Sequence, residues 1–468
     1  MTLHRRVPAP GAMGGSMEAQ LRRVRLRLAT VVVIIFVFVS SGAFGLEDMV
    51  GWSGPGIALV LLLVLPVVWA LPMGLVCAEL GSAIPEEGGY YVWVKRALGE
   101  YWGFQCGWWS WLTTFVDSAL YIALVTDYLQ SWLDLDPTVA WLMGVAVIAV
   151  LAYLNIRGLN VIAISSIVMV VIILTPFVVL TILGFANWHG VPWQPFAYPG
   201  QSVLTSIGYA LAVGMWMYSG YDSMSVLAGE VEEPRRVIPR GLMIAMPLIV
   251  ISYFVPTLAA LGGVGRWGEW TTEGGISFVE IAEQLGGTAL GVAMLVAAVV
   301  SNLALYQEYL AQGSRPAYAM AGDHLLPRVL TRTHPKYGTP WVSIVVLAVI
   351  NAGLVRYGFE TLIVIDVFLM MFYYILIFVA AVVLRVREPA LERPFRVTGG
   401  AVVLALICAP AVTIAVIALF TNGMDWLVGG LAGVLTGPIA YLIFKPACRP
   451  RAPRGAAGAG VGGPPTRR

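Results

Sequence analysis

The sequence predicts an all-α membrane protein of about twelve transmembrane helices, and its composition, its apolar runs and the placement of its basic residues each point there. Hydrophobic residues make up 59% of the 468 and charged ones 12%, about half the charged share of an ordinary soluble domain. So little charge cannot coat a water-facing surface. The apolar residues fall in long runs, beginning with Leu26 to Phe44 and Gly56 to Glu79, each near the roughly 20 residues that cross about 30 Å of hydrocarbon as a helix.

Further spans are read near residues 103–130, 138–155, 161–184, 203–228, 241–263, 288–311, 341–355, 361–384, 400–420 and 426–444. Each gap between them carries turn chemistry or charge. Arg22, Arg23, Arg25 and Arg27 stand before and at the start of the first run, which is too long for a signal-peptide core and reads as a signal anchor. With the N-terminus inside, 26 of the 28 Lys and Arg fall in cytoplasmic segments, and only Arg266 and Arg356 face out. One miscounted span would scramble that bias, so it supports both the number and the orientation. The outer loop between spans 5 and 6 fits, lacking Lys and Arg and carrying Trp188 and Trp193, residues suited to the membrane interface.

The expected organisation is a cytoplasmic tail over 1–28, a helical domain over 29–444 and a disordered cytoplasmic tail over 445–468. Cys77, Cys106, Cys408 and Cys448 show no C-x-x-C spacing, and His4, His189, His324 and His334 never pair on one helix. No metal, disulfide frame or intramembrane His-based catalysis is implied. The chain has no G-x-x-x-x-G-K-[ST] and a net charge of +2, which leaves neither an ATP signature nor a nucleic-acid one. The basic tails suit contact with anionic lipid, and no cofactor is expected.

Two spans carry a built-in break. The first contains Ser40-Ser41-Gly42-Ala43-Phe44-Gly45 and the sixth Tyr218-Ser219-Gly220-Tyr221-Asp222-Ser223. Glycine costs about 1 kcal/mol in a helix interior and Ser competes for backbone hydrogen bonds, so each span has a natural place to unwind. Unwound backbone at membrane depth is tolerated where it is buried in protein or lines a wet cavity. Gly and Ser can also serve only close helix packing, but here the two breaks stand at the start of two five-span units, 29–184 and 203–384. Five spans is an odd number, so the units must have opposite topology, the inverted-repeat plan in which solute binds between half-helices. The last two helices, over 400–444, stand outside the repeat.

At these residues the chain resembles the amino acid-polyamine-organocation superfamily of permeases, with further matches in GGYYVWVKRALG from Gly88, LNIRGLN from Leu154, SGYDSMSVLAGEVEEPRRVIPR from Ser219, SRPAYAMAGDHLLP from Ser314 and RPFRV from Arg393. VSSGAFGLED from Val39 and VDSALYIALVTDYL from Val116, which includes Ser118, look most like polyamine uptake permeases and cationic amino acid carriers. The resemblance implies a five-plus-five inverted repeat with two added helices and alternating access around a central site. It also implies that amides and hydroxyls near Ser40, Ser41, Gly42 and Ala43 receive a substrate carboxylate, as a helix N-terminus would. Carbonyls near Phe38, Trp216, Ser219 and Gly220 would accept an amine. Trp216 matches the aromatic lid of related exchangers, with Tyr121 and Tyr221 as further aromatic candidates.

The spans hold several carboxylates and almost no base, although an Asp at mid-helix costs about 2.5 to 3.5 kcal/mol on insertion scales. Asp48, Glu79, Asp127 and Glu230 read as solvated span ends, and Glu47 as an outer-vestibule residue. Asp117 lies mid-way along span 3, with Tyr121 one turn on and on the same face. Asp222 adjoins the second break. Asp117 suits an ammonium group, and Asp222 with Glu308 suits a coupling proton. The stretch from Asn302, NLALYQEYLAQ, has no Ser/Thr pair, and span 5 has no Lys, so a sodium site and a Lys-based proton site are both disfavoured. The expectation is therefore a multi-pass plasma-membrane permease importing or exchanging amino acids or polyamines, with protons as partner. The rival readings are a solute-binding sensor that moves nothing and a membrane-embedded enzyme, the latter opposed by the missing nucleophile and base constellations.

Overall fold

The structure, a computed structural model, describes residues 27–40, 42–86, 88–222, 231–272, 275–357, 359–421 and 424–448, and among them the regular secondary structure is helical apart from one isolated β-bridge. A helix occupies each of the twelve apolar runs. Span 1 is two pieces, α1 (Leu28–Val39) and α2 (Leu46–Ser53). Span 2 starts as α3 (Pro55–Leu65), widens into a π-helical turn at Pro66–Ala70, and continues as α4 (Leu71–Ala83). Pro66 has no N–H to offer the Leu62 carbonyl, which is the expected cause of the widened turn. The orphaned carbonyl is taken by the Tyr218 hydroxyl at 2.9 Å.

The segment between spans 2 and 3, read from sequence as a loop, contains α5 (Tyr90–Leu98) between Gly89 and Gly99, both at positive φ. It is amphipathic: Tyr90, Tyr91, Trp93, Val94 and Ala97 are buried, while Lys95 and Arg96 reach outward to Asp323 and Glu388. The long α6 (Glu100–Leu133) follows, then α7 (Pro137–Ile156), begun by an Asp136 N-cap, and α8 (Leu159–Ala186). After the outer loop come α9 (Val203–Met217), capped by Ser202, and α10 (Pro234–Gly263).

Next, α11 (Phe278–Gly322) opens with a Ser277/Glu280 capping box and is interrupted at Gly287, φ 73°, so a short helix precedes the span itself. It also runs past the expected end at 311 to Gly322. The chain then forms α12 (Trp341–Leu354), α13 (Phe359–Arg387), α14 (Ala401–Thr421) and α15 (Met424–Cys448). The last helix continues four residues into the region expected to be a disordered tail.

By length and apolarity, eight helices among the described residues can cross a bilayer, with Val170–Ala186, Val203–Met217 and Trp341–Leu354 as shorter apolar helices. The long α6 is the most buried of the eight and packs against α11 and α13. Peripheral α14 and α15 leave Leu406, Phe420, Leu442 and Ile443 exposed, the inverse of a soluble surface and suited to lipid.

Connections between spans gather at two ends of the bundle. At one end Lys95 pairs with Asp323 at 2.6 Å, Arg96 with Glu388 at 2.6 Å and Arg235 with Glu392 at 3.1 Å, while the Thr339 hydroxyl donates to the Ile156 carbonyl. The Arg96 guanidinium holds Glu388 below the usual carboxylate range. Away from that end the Ile57 amide donates to the Phe196 carbonyl and the Tyr198 amide to the Ser53 carbonyl, and separately Arg356 lies over Trp141.

Candidate functional site

Both Ser-Gly segments are non-helical. In span 1 the helix stops at Val39 and restarts at Leu46, with Gly42 at φ 105° and Gly45 at φ 90°. A side chain on Gly42 would be strained by that φ, and its Cβ would meet the Phe177 ring at 2.9 Å. In span 6 the helix stops at Met217, and Gly220 has φ 92°.

A helix end leaves carbonyls without partners, and buried ones must be satisfied. Tyr253 of α10 meets this need at both breaks at once. Its hydroxyl donates to the Val39 carbonyl at 2.6 Å and the Met217 carbonyl at 3.1 Å. Trp69 of span 2 donates its indole N–H to the Met215 carbonyl at 3.1 Å. The Trp216 carbonyl accepts both the Ser219 amide at 3.0 Å and the Ser219 hydroxyl at 2.7 Å. On the N-terminal side of α2, Glu47 accepts the Gly45 amide at 2.8 Å.

Between the breaks lies a small cavity lined by Ser40, Gly42, Phe44, Tyr121, Trp216, Tyr253, Ser301 and Asn302 among others. It has room for about one water molecule, so its walls must part to admit an organic solute. Trp216 and Tyr121 stack at 5.8 Å between ring centres, Tyr121 meets Tyr309 at 5.2 Å, and Trp216 meets Phe359 at 5.4 Å. The Trp216 indole N–H donates to Asp117 Oδ1 at 2.9 Å.

Comparison with known proteins decides what kind of chain has this architecture: residues 28–444 match the amino acid permease family model. The chain belongs to the amino acid permease family. A polyamine transporter of Arabidopsis thaliana is 35% identical over 412 residues, covering 87% of this chain and 82% of its own. A polyamine transporter of Oryza sativa is 36% identical over 458 residues, covering 94% and 81%. A serine/threonine exchanger of Bacillus subtilis is 25% identical over 418 residues, covering 87% and 93%. This permease is a multi-pass membrane transporter and not an enzyme.

Within the permease, Ser40, Gly42, Tyr121 and Trp216 line the cavity between the breaks, and Asp117 joins them through Trp216. Ser219, Gly220 and Tyr221 lie buried in the second break. Asp222 accepts the Tyr374 hydroxyl at 2.7 Å, and that same oxygen accepts the Gly220 amide at 3.2 Å. Ala43 is buried, its carbonyl accepting the Leu46 amide at 3.2 Å. Ser41 lies outside the described residues, and of Phe38 only the helical backbone is described. Glu308 is buried in α11 beside Tyr309 and is not among the cavity residues.

Several expectations need correction. Ser118 is turned toward Asn351 of α12, donating to the Thr114 carbonyl at 2.5 Å with Asn351 Oδ1 at 3.1 Å, because it sits on a different face of α6 from Asp117. The doubly occupied Trp216 carbonyl is already satisfied and offers no lone pair to an amine. Glu79 is no solvated span end: it is buried against Arg385 and Arg393 and accepts the Val397 amide. Asp48 is buried too, with its oxygens on the Thr271 and Thr272 hydroxyls at 2.7 Å. Glu47 does not line a vestibule but ties the Gly45 amide, the Phe278 amide and the Tyr128 hydroxyl together.

The sequence reading missed Tyr253, Trp69, Tyr374, Ser301 and Asn302. Ser301 stands one residue before the stretch judged to lack Ser/Thr, and it faces the same cavity as Ser40. The available signal was a lone polar or hydroxyl-bearing group in an otherwise aliphatic span, since a buried Tyr or Trp must find a hydrogen-bond partner.

Proposed function

We propose that this permease is a proton-coupled secondary transporter of amino acids or polyamines, with cationic solutes favoured, working by alternating access around the two breaks. The observation that carries the reading is Asp117, a buried carboxylate whose hydrogen-bond partners are neutral groups, the Trp216 indole and the hydroxyls of Tyr309 and Tyr121. The predicted spans 3, 6, 8 and 10 contain neither Lys nor Arg, and span 1 has only Arg27 at its very start, so the positive charge that suits this acid is one brought by the solute. The aromatic faces of Tyr121 and Trp216 add roughly 0.5 to 2 kcal/mol for an ammonium placed over them. The two plant relatives named as polyamine transporters support the same class.

In this reading the backbone around Ser40, Ser41, Gly42 and Ala43 receives any carboxylate on the solute. Acceptors near Phe38, Ser219 and Gly220 complete the pocket, and Tyr221 packs behind it. Asp222, at the second break, carries the coupling proton, with Glu308 as a further acid. The grouping of connections at two ends supports twelve crossings arranged as five plus five plus two, in the plasma membrane, with both termini on the cytoplasmic side that holds the basic residues.

Uptake by proteoliposomes given labelled putrescine, spermidine, lysine, arginine and leucine tests the proposal. Cationic solutes are expected to accumulate under an imposed proton gradient. Asp117→Asn keeps the oxygen that accepts the Trp216 N–H and is expected to weaken cation binding about tenfold or more. Accumulation of leucine alone, or unchanged cation binding by the variant, would overturn it.

A further inference from the structure

We propose that Asp366 is the second carboxylate of a two-point site for linear diamines and polyamines, Asp117 being the first; this rests on the cationic-solute reading above and deepens it. Asp366 lies in α13, fully buried, and neither of its carboxylate oxygens has a hydrogen-bond partner. A buried acid without donors or a counter-charge is costly to keep. Its position gives it a use.

Phe359, seven residues earlier on α13, meets the Trp216 ring, and residues seven apart on a helix share a face. Tyr374, two turns further along, binds Asp222. Asp366 therefore falls on α13 between its contact with the Trp216–Asp117 pair and its contact with the second break. Asp366 and Asp117 are within electrostatic reach of each other, and Tyr121 is within reach of Asp366.

Two carboxylates without fixed cations, near the ring cluster of Tyr121, Trp216 and Phe359, match a ligand with an ammonium at each end of a methylene chain. Each acid takes one ammonium, and the rings cover the methylenes and the cation faces. The same pair disfavours a zwitterion, whose own carboxylate would meet two like charges.

Equilibrium binding of putrescine and of butylamine, which has the same chain with one ammonium, separates the roles in the purified full-length protein at fixed pH. Wild type is expected to bind putrescine roughly tenfold to a hundredfold tighter than butylamine. Asp366→Asn should erase most of that preference while leaving butylamine within about twofold, Asp117→Asn should weaken both amines, and Asp366→Glu should restore part of the preference. Putrescine binding unchanged in Asp366→Asn overturns the assignment, including the case where only gradient-driven uptake is lost, which would make Asp366 a proton carrier. Equal weakening of both amines overturns it as well. A wild type that binds neither amine refutes the cationic reading itself, which is a different result from a wild type that binds both without preference.

Discussion

Gly42 shows how one residue sets the geometry of the site. Its φ of 105° lies where L side chains are strained, and the Phe177 ring stands 2.9 Å from where a Cβ would be. Gly42→Leu is expected to abolish uptake while the protein still inserts, as read by transport beside size-exclusion chromatography of the solubilised protein; normal uptake would mean that the backbone need not approach solute there. Asp222→Asn tests the coupling role: pH-gradient-driven accumulation should be lost and solute exchange kept, since exchange moves no net proton. Proton-driven accumulation by the variant would place the coupling group elsewhere. Both breaks were legible because Ser-Gly in the middle of an apolar run has few structural excuses. Glu79 was not, because its partners Arg385 and Arg393 lie about 300 positions away and only the fold brings them to it.

At the scale of elements, the broken helices hold together because side chains from unbroken ones satisfy their ends. Tyr253 joins the Val39 and Met217 carbonyls through one hydroxyl, so Tyr253→Phe frees two buried acceptors. It should cost about 1 to 3 kcal/mol, visible as a lower thermal midpoint, and an unchanged midpoint would show that water replaces the phenol. The buried Glu79–Arg385 pair makes a sharper contrast with the exposed pairs nearby. Glu79→Gln leaves two guanidinium groups buried beside a neutral amide and should cost about 3 to 5 kcal/mol. Arg96→Gln, which opens the half-exposed pair with Glu388, should cost no more than about 1 kcal/mol. If the two variants melt alike, burial is not what distinguishes these pairs. Helix existence was readable from apolar length alone, whereas α5 escaped notice because nine residues of amphipathic helix between two glycines give too short a period to stand out from a loop.

For the whole molecule, the proposed twelve crossings fix the side of each connection by the parity of the spans, and the contacts among connections are consistent with that arrangement. The segments holding Lys95, Ile156, Arg235, Asp323 and Glu388 meet one another at one end, while Ser53 and Ile57 meet the segment of Phe196 and Tyr198, and Arg356 meets Trp141. The Lys and Arg tally alone could be read from sequence, because charge asymmetry needs no knowledge of which loops touch. Their meeting could not. In the proposed orientation the Lys and Arg bias of the sequence assigns the first end to the cytoplasm, which leads to a prediction about access from each side. His189 is exposed in the connection after α8, and Lys336 is exposed in the connection before α12. In a background with Cys77, Cys106, Cys408 and Cys448 replaced, His189→Cys in intact cells should react with a membrane-impermeant maleimide. Lys336→Cys should react only after the cells are opened. Three spans separate the two positions, an odd number, so a chain that crosses as proposed must place them on opposite sides. Labelling of both from outside would remove a crossing between them, and reversed labelling would keep the crossings while inverting the protein.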